Sequence, residues 1–106
     1  MNVLIVEPDK RPYPKEIGND LKSMQEVVGG YIETLTLERN VVLVLNEEGK
    51  LIPLKKNRLI SNGINSDILM GTFFVAGTDD EGEFTSLTNA QMEKYNKQFY
   101  TSGFWV

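Results

Sequence analysis

The chain has 106 residues, of which 41% are apolar and 25% are charged, and its net charge at neutral pH is -4. It contains no cysteine and no histidine. These two absences exclude disulfides, thiol chemistry, most zinc sites, histidine general bases and the Ser-His-Asp and Cys-His nucleophile systems. We therefore expect one small domain from a reducing compartment, with no catalytic residue, no metal and no cofactor.

The beginning of the chain shows no targeting signal. Residues 1–8 lack the basic stretch and the long apolar run of a signal peptide, and no apolar run approaches the roughly 20 residues of a membrane span. We expect a cytoplasmic protein without a membrane partner. The acidic balance also argues against direct nucleic-acid binding, because such binding depends on neutralising phosphates.

The first third of the chain predicts a strand, a loop, a helix and a second strand. The apolar run 3–6 predicts a strand buried on both faces, and the charged segment 9–17 with its two prolines predicts a surface loop. Asn19 and Asp20 are both good N-caps, and the apolar spacing that follows predicts a helix over 20–28 that Gly29 ends. The alternating, β-branched stretch 31–37 predicts the next strand.

The middle of the chain predicts a hairpin. Residues 41–45 are the most strand-like segment, and with 46–50 as a turn we expect them to pair with 51–52. Residues 54–60 predict a short helical turn or an irregular crossing. The polar segment 61–67 predicts a loop.

The last third predicts one more strand and a second helix. Glycines bracket the apolar run 71–77, which predicts a strand, and the acidic segment 79–83 predicts a turn. Thr88 predicts the N-cap of a helix in which Tyr95 and Phe99 share one face.

Together these elements predict an α+β fold, with a mostly antiparallel sheet of about five strands and two helices packed on one face. We divide the chain into a single α+β domain over residues 1–99 and an apolar C-terminal tail over residues 100–106.

Two segments that contain glycine are candidate ligand sites. Tyr31 follows a glycine pair, so its ring could stack on another ring or a base, although the pair is also explained as a helix stop. Gly71 and Thr72 offer a backbone donor and a hydroxyl at a sheet edge, where a ligand or partner strand could dock. The alternative is a buried strand that needs small residues at its ends.

Basic residues form two clusters, one within 10–15 and one within 55–58. If the clusters converge in the fold, they make a small anion pocket in which Asn57 and Arg58 are the directional donors. A solvated surface is the alternative. The predicted ligand-binding residues are therefore Tyr31, Asn57, Arg58, Gly71 and Thr72.

The chain ends in three bulky apolar residues, Phe104, Trp105 and Val106. A frayed terminus gains little from such side chains. We expect them either to pack on their own domain or to contact a second chain, since an exposed Trp is an effective anchor for a partner.

Carboxylates offer little catalytic chemistry in this sequence. The acidic segment 79–83 does not follow the spacing of an EF-hand loop, so we interpret it as a solvated turn. An enzyme that uses Glu7 or Glu33 with a bound metal is the remaining catalytic alternative.

Several segments taken together resemble a family of small proteins from phages, plasmids and bacteria that is catalogued only as a domain of unknown function. The resemblance rests most specifically on VGGYIE at 28–33 and NEEGK at 46–50, followed by GTFFV at 71–75. It covers residues 1 to about 99.

The resemblance implies a biological context, namely phages and other mobile elements. Small accessory genes of phages often encode inhibitors of host defence. We expect a non-enzymatic phage or mobile-element protein that counteracts host defence by binding and sequestering a nucleotide-like signal. It would act in the host cytoplasm as a homo-oligomer. The alternative is an interaction protein, similar in role to anti-CRISPR or anti-restriction proteins, that inhibits a host defence nuclease or regulator through its acidic surface and its tail.

Overall fold

The computed structural model describes residues 1–61 and 64–101. Ten elements follow one another along the chain: β1 (Asn2–Val6), β2 (Tyr13–Glu16), α1 (Leu21–Val28), β3 (Ile32–Glu38), β4 (Val41–Asn46), β5 (Lys56–Ser61), β6 (Ser66–Met70), β7 (Phe73–Thr78), β8 (Phe84–Thr85) and α2 (Asn89–Gln98). The α+β fold class is confirmed. Phe104, Trp105 and Val106 lie outside the described residues, so partner binding by them stays a prediction.

Six strands form the main sheet, in the order β2-β1-β7-β4-β3 with β8 paired to part of β7. Every pairing in this sheet is antiparallel, which confirms the predicted type of sheet. β1 and β7 are buried along almost their whole length, because their side chains are apolar at successive positions and both sheet faces are covered.

The two helices cover opposite faces of the main sheet, which corrects the prediction that both pack on one face. On β1, Leu4 lies in the apolar cluster that contains Tyr95 of α2. Its neighbour Ile5 lies in the cluster that contains Met24 of α1. Because neighbouring side chains of a strand point to opposite faces, an apolar run such as 3–6 needs a cover on each side.

Both helices begin as the sequence predicts. The Asp20 carboxylate accepts a hydrogen bond from the Ser23 amide at 2.8 Å, and Gly29 ends α1 in the left-handed conformation at φ 78°. Thr88 and Gln91 form a capping box at the start of α2. Within the described residues, neither helix combines the length and the apolar character needed to cross a bilayer.

A second sheet, made of β5 and β6, lies where the sequence predicts a helical turn or irregular crossing over 54–60 and a loop over 61–67. With α2 it covers one face of the main sheet, since Leu69 belongs to the cluster of Tyr95. Asn57 lies at a bulge where the β5 register shifts. That bulge and the burial of Arg58 remove the alternation by which a strand is recognised in a sequence.

β2 replaces the surface loop predicted over 9–17. All four of its residues are exposed, so the sequence shows no alternation of apolar and polar residues that would predict a strand there. β2 is the edge strand beside β1. An edge strand tolerates Pro14 because its open side needs no amide donor.

β4 does not form the predicted hairpin with 51–52. It pairs with β3 and with β7 instead, and Asn40 in the left-handed conformation at φ 66° makes the tight turn from β3. Leu51 and Ile52 lie in an exposed turn where their amides donate to the Glu48 carbonyl at 2.9 Å. Two apolar residues next to a turn signal therefore did not make a strand.

Candidate functional site

The predicted ligand-binding residues fall into two regions. One lies over the end of β1, where Asn57 contacts the carbonyls of Val6 and Gly71, and half-buried Thr72 follows Gly71 into β7. The other lies at the start of β3, where Tyr31 is exposed. β7 and β4 separate β1 from β3 in the sheet, so the structure does not bring all five residues together.

Arg58 is 2% exposed, and all of its N–H groups point to oxygen atoms of the chain. Nε and Nη2 donate to the Phe99 carbonyl at 3.2 and 3.1 Å. Nη1 donates to the carbonyl and Oδ1 of Asn57 at 3.2 and 2.7 Å, and Nη2 also reaches the Lys10 carbonyl at 2.6 Å. The guanidinium therefore joins three separate segments of the chain.

The charge of Arg58 is held by neutral oxygens. Among the described residues no carboxylate forms an ion pair with it. Burial lowers the pKa of Arg58, and the charge of Asp9 acts in the opposite direction. Within the described residues, a buried positive charge is thus held by carbonyl and amide oxygens and not by a carboxylate.

Asn57 is fully buried and joins the second sheet to the main sheet. Its Nδ2 donates to the carbonyls of Val6 and Gly71 at 2.9 and 2.8 Å. The acceptor residue Gly71 is itself closely packed, because it has φ 77° and a Cβ at this position would lie 2.6 Å from Cδ1 of Leu54. The side-chain donors of Asn57 and Arg58 are therefore engaged within the chain, and ligand binding by them stays a prediction.

The two basic clusters converge over this buried arrangement. Arg58 contacts the Lys10 carbonyl, and Lys55 forms an ion pair with Asp9, the residue before Lys10. The side chains of Lys10 and Lys55 are 67% and 69% exposed, so their ammonium groups stay in solvent. We call Lys10, Arg11, Lys55, Asn57 and Arg58 the Arg58 region.

An aromatic ring adjoins the cations of the Arg58 region. The guanidinium carbon of Arg11 lies 4.6 Å from the ring centroid of Tyr100, within the range of a cation–π contact. Tyr100 is exposed and follows Phe99, whose carbonyl binds Arg58. Tyr100 cannot be recognised as a site residue from the sequence, because only the contact with the distant Arg11 distinguishes it from other exposed tyrosines.

The second region unites the two segments that carry the family resemblance most specifically. Nδ2 of buried Asn46 donates to the Val28 carbonyl at 3.1 Å, and its Oδ1 accepts from the Glu48 amide at 2.8 Å. A Cβ on Gly30 would lie 2.9 Å from that Nδ2. Asn46 therefore fixes VGGYIE against NEEGK, and a side chain at Gly30 would displace it.

Tyr31 stands beside this junction with 66% of its surface exposed. It borders a concavity of about 240 Å³ whose other side chains include Gln25, Glu48 and Ile52. The exposed Leu51 follows in the same turn. We call Gln25, Tyr31, Glu48, Leu51 and Ile52 the Tyr31 region; its character is aromatic, apolar and acidic.

A third feature is an open groove of about 490 Å³ between β3, α2 and the second sheet. Leu35, Ile60 and an ion pair of Glu38 with Lys94 line it. The hydrogen bond to Lys94 lowers the pKa of Glu38, while burial, with Glu38 nearby, raises the pKa of Tyr95 to about 12. Three distant segments build the groove, so no single motif predicts it.

The carboxylates of the catalytic alternative do not form a metal cluster in the described part of the chain. Within residues 1–61 and 64–101, no group of three or more acidic side chains is placed to hold a metal ion. Glu7 accepts a hydrogen bond from the Tyr13 hydroxyl at 2.8 Å, and Glu33 lies on exposed β3.

The chain belongs to a family described as a domain of unknown function (DUF3846), whose family model matches residues 1–100. The predicted membership of a family of this description is confirmed. No curated protein and no solved structure matches the chain.

Proposed function

We propose that this protein is a non-enzymatic phage or mobile-element protein that counteracts host defence by sequestering a nucleotide-like signal in the host cytoplasm, as a homo-oligomer. We place the ligand on the exposed cations of the Arg58 region. The observation that supports this placement is the convergence of Lys10, Arg11 and Lys55 over the buried guanidinium of Arg58.

Electrostatics favour an anion at this position. The guanidinium of Arg58 forms no ion pair with a carboxylate of the described residues, although the charge of Asp9 acts on it, so it adds to the positive potential at the surface above it. Among the described residues Lys10 forms an ion pair with Glu7 and Lys55 forms one with Asp9, so the positive charges in excess here are those of Arg11 and Arg58, on a chain whose net charge is -4. Lysine ammonium groups bind phosphate as point charges.

The ring of Tyr100 supplies the second half of a nucleotide site. An aromatic face supports a stacked base at about 1–3 kcal/mol per base. Arg11 already lies over that ring. On ligand binding its guanidinium can move to a phosphate, which leaves the ring to the base, or it can stack on the base itself. Phosphate and base recognition are therefore adjacent, which favours a nucleotide over a simple anion.

The test is ligand capture from a mixture of nucleoside phosphates and cyclic dinucleotides. The protein is incubated with the mixture, separated from free ligand, and heated, and the released compounds are identified by mass. We expect one intact compound to be recovered unchanged. Recovery of no compound, or only of a chemically altered one, would contradict a sequestering protein.

A matched pair of variants locates the site. Lys10→Gln with Lys55→Gln removes two cations of the Arg58 region, and we expect at least a tenfold loss of affinity for the captured compound. Lys22→Gln with Lys97→Gln also removes two positive charges, one from each helix, and should leave the affinity for the captured compound unchanged. Equal losses in both double variants would place the ligand elsewhere.

A second candidate function, inhibition of a host defence nuclease or regulator by surface contact, is favoured by the Tyr31 region. Exposed Tyr31, Leu51 and Ile52 lie among carboxylates, and aromatic anchors of this kind dominate binding to proteins. Its test is the affinity for a defence protein identified by crosslinking. Tyr31→Ala should weaken that complex at least tenfold, while Leu59→Ala, at an exposed leucine of β5, should not.

A further inference from the structure

The two edges of the main sheet differ in how they are protected. β2 forms one edge with Pro14 and Lys15 among its four exposed residues, and both residue types discourage the addition of another strand. β3 forms the other edge with seven residues and the sequence IETLTLE, without proline or lysine. Its central residues 33–36 are exposed.

The backbone of β3 offers unpaired groups along this edge. The Tyr31 carbonyl accepts from the Glu47 amide at 2.9 Å, so Tyr31 and every second residue after it turn their backbone groups toward β4. The amides and carbonyls of Ile32, Thr34 and Thr36 therefore point away from the sheet. In the described part of the chain no strand lies on this side of β3.

An apolar surface lies beside these unpaired groups. Leu35 is 41% exposed and borders the groove of about 490 Å³ together with Leu37 and Ile60. A strand added to β3 would place alternate side chains over that groove, as in recognition by strand addition. The edge therefore offers both backbone hydrogen bonds and an apolar contact.

We propose that β3 pairs with β3 of a second copy of this chain, antiparallel and centred on Leu35. In this register Thr34 faces Thr36 of the other copy, so outward backbone groups meet outward backbone groups, as an antiparallel ladder requires. Leu35 faces its own counterpart in a non-hydrogen-bonded pair, where side chains are closest. The two leucines then shield each other from water.

Charge supports a second copy as the occupant. In the register centred on Leu35, the regular part of the ladder pairs Thr34 with Thr36 and Leu35 with Leu35, and it contains no carboxylate. Glu33 meets the bulge of the other copy, where the β3 register shifts between Thr36 and Glu38. Glu38 is moreover paired with Lys94 of its own chain. A register centred on Glu33 would place two carboxylates directly opposite each other, which is destabilising. The edge is thus complementary to itself in one register and repulsive in a neighbouring one.

The chain has no cysteine, so one introduced cysteine reports on this register. In a non-hydrogen-bonded pair the two Cα atoms are about 4.5 Å apart, which lies within the range of about 4.4–6.8 Å for a disulfide. We expect Leu35→Cys to give a covalent dimer under mild oxidation that reductant reverses. Lys15→Cys on β2 is the matched control and should remain monomeric on a denaturing gel.

The assembly without a cross-link is measured by light scattering at micromolar concentration. We expect the unmodified chain to have the mass of a dimer and Thr34→Pro to have that of a monomer, because this proline removes an amide that points away from β4. If Thr34→Pro fails to fold, the cysteine pair still decides the question. A monomeric unmodified chain, or equal cross-linking of both cysteine variants, would overturn the proposal.

The β3 dimer does not rest on the proposed nucleotide site, and its test uses no nucleotide. A dimer without a captured ligand would contradict the proposed sequestration and leave the β3 pairing intact. A captured ligand on a monomer would contradict the β3 pairing and the homo-oligomer, and would leave the sequestration intact. If the unmodified chain is a dimer but Leu35→Cys does not cross-link under oxidation, another surface joins the copies, which also overturns the pairing.

Discussion

The Arg58 region and the Tyr31 region lie over different strands of the same sheet. They differ in which of their side chains are buried within the fold and which are exposed to a ligand. In the Arg58 region the directional donors are buried and bind the chain's own carbonyls, and only the lysines and Arg11 reach solvent. In the Tyr31 region the buried amide of Asn46 holds the backbone, and the aromatic ring faces out. The comparison shows that a residue's chemistry does not reveal whether it serves the fold or a ligand.

The largest effect expected from this difference is on stability at Arg58. Arg58→Ala leaves the carbonyls of Phe99 and Lys10 without their donor, so we expect the free energy of unfolding to fall by about 4 kcal/mol. Tyr31→Ala removes an exposed ring and should change it by about 0.5 kcal/mol or less. Urea unfolding measures both values.

Arg58→Lys separates the charge of this residue from its geometry. A lysine keeps the positive charge but has three donors in place of five, so we still expect a loss of about 2 kcal/mol. A lysine variant as stable as the unmodified chain would contradict the account of Arg58 as a structural connector.

The next effect concerns the buried amide of Asn57. Asn57→Ala removes the donors to the carbonyls of Val6 and Gly71, and we expect a loss of about 2 kcal/mol, because both acceptors lie beneath the second sheet. Thermal unfolding gives the value. A loss no larger than that of Tyr31→Ala would remove the distinction between the regions.

Two glycines with nearly equal φ sharpen the comparison further. Gly71 has φ 77° and Gly29 has φ 78°. At either position, an alanine in this left-handed conformation lowers the free energy of unfolding by about 1 kcal/mol. A Cβ on Gly71 also meets Leu54, whereas a Cβ on Gly29 meets nothing within 4 Å. We therefore expect Gly71→Ala to cost about 1 kcal/mol more than Gly29→Ala, and equal costs would contradict the close packing at Gly71.

The last effect is absent at neutral pH and is confined to alkaline solution. Burial, helped by Glu7, raises the pKa of Tyr13 to about 12, and burial, helped by Glu38, raises the pKa of Tyr95 to about 12. A raised pKa means that the unfolded chain loses these protons first, near pH 10. Stability from both groups is therefore complete below about pH 10 and is lost as the pH rises toward 12.

Phenylalanine variants test that assignment, because they cannot ionise. Tyr95→Phe and Tyr13→Phe should each make the free energy of unfolding less dependent on pH between pH 10 and 12. A dependence as steep in the double variant as in the unmodified chain would show that other groups cause the alkaline loss.

The sequence predicts the parts of the fold that depend on local patterns. The apolar run 3–6, the caps at Asp20 and Thr88 and the stop at Gly29 act within a few residues, so composition and spacing reveal them. The second sheet cannot be predicted in this way, because the bulge at Asn57 interrupts the alternation of buried and exposed side chains along β5. The placement of the helices on opposite faces depends on the whole sheet.

The candidate site was predictable only in its components. The basic clusters within 10–15 and 55–58 are visible in the sequence, and their convergence follows only from the contacts of Arg58 and Asp9. Their directional members turned out to be buried, because a guanidinium can be satisfied by carbonyl oxygens as fully as by phosphate. Nothing local to Tyr100 indicates that Arg11 lies over its ring.

The most direct test of the central claim is a nuclear magnetic resonance titration of the isotope-labelled protein with the captured nucleotide. If the nucleotide lies on the Arg58 region and against Tyr100, the amide signals of Lys10, Arg11, Lys55 and Tyr100 shift together and saturate with one affinity. Shifts confined to Tyr31 and its neighbours in the Tyr31 region, with those four signals unchanged, would contradict this placement.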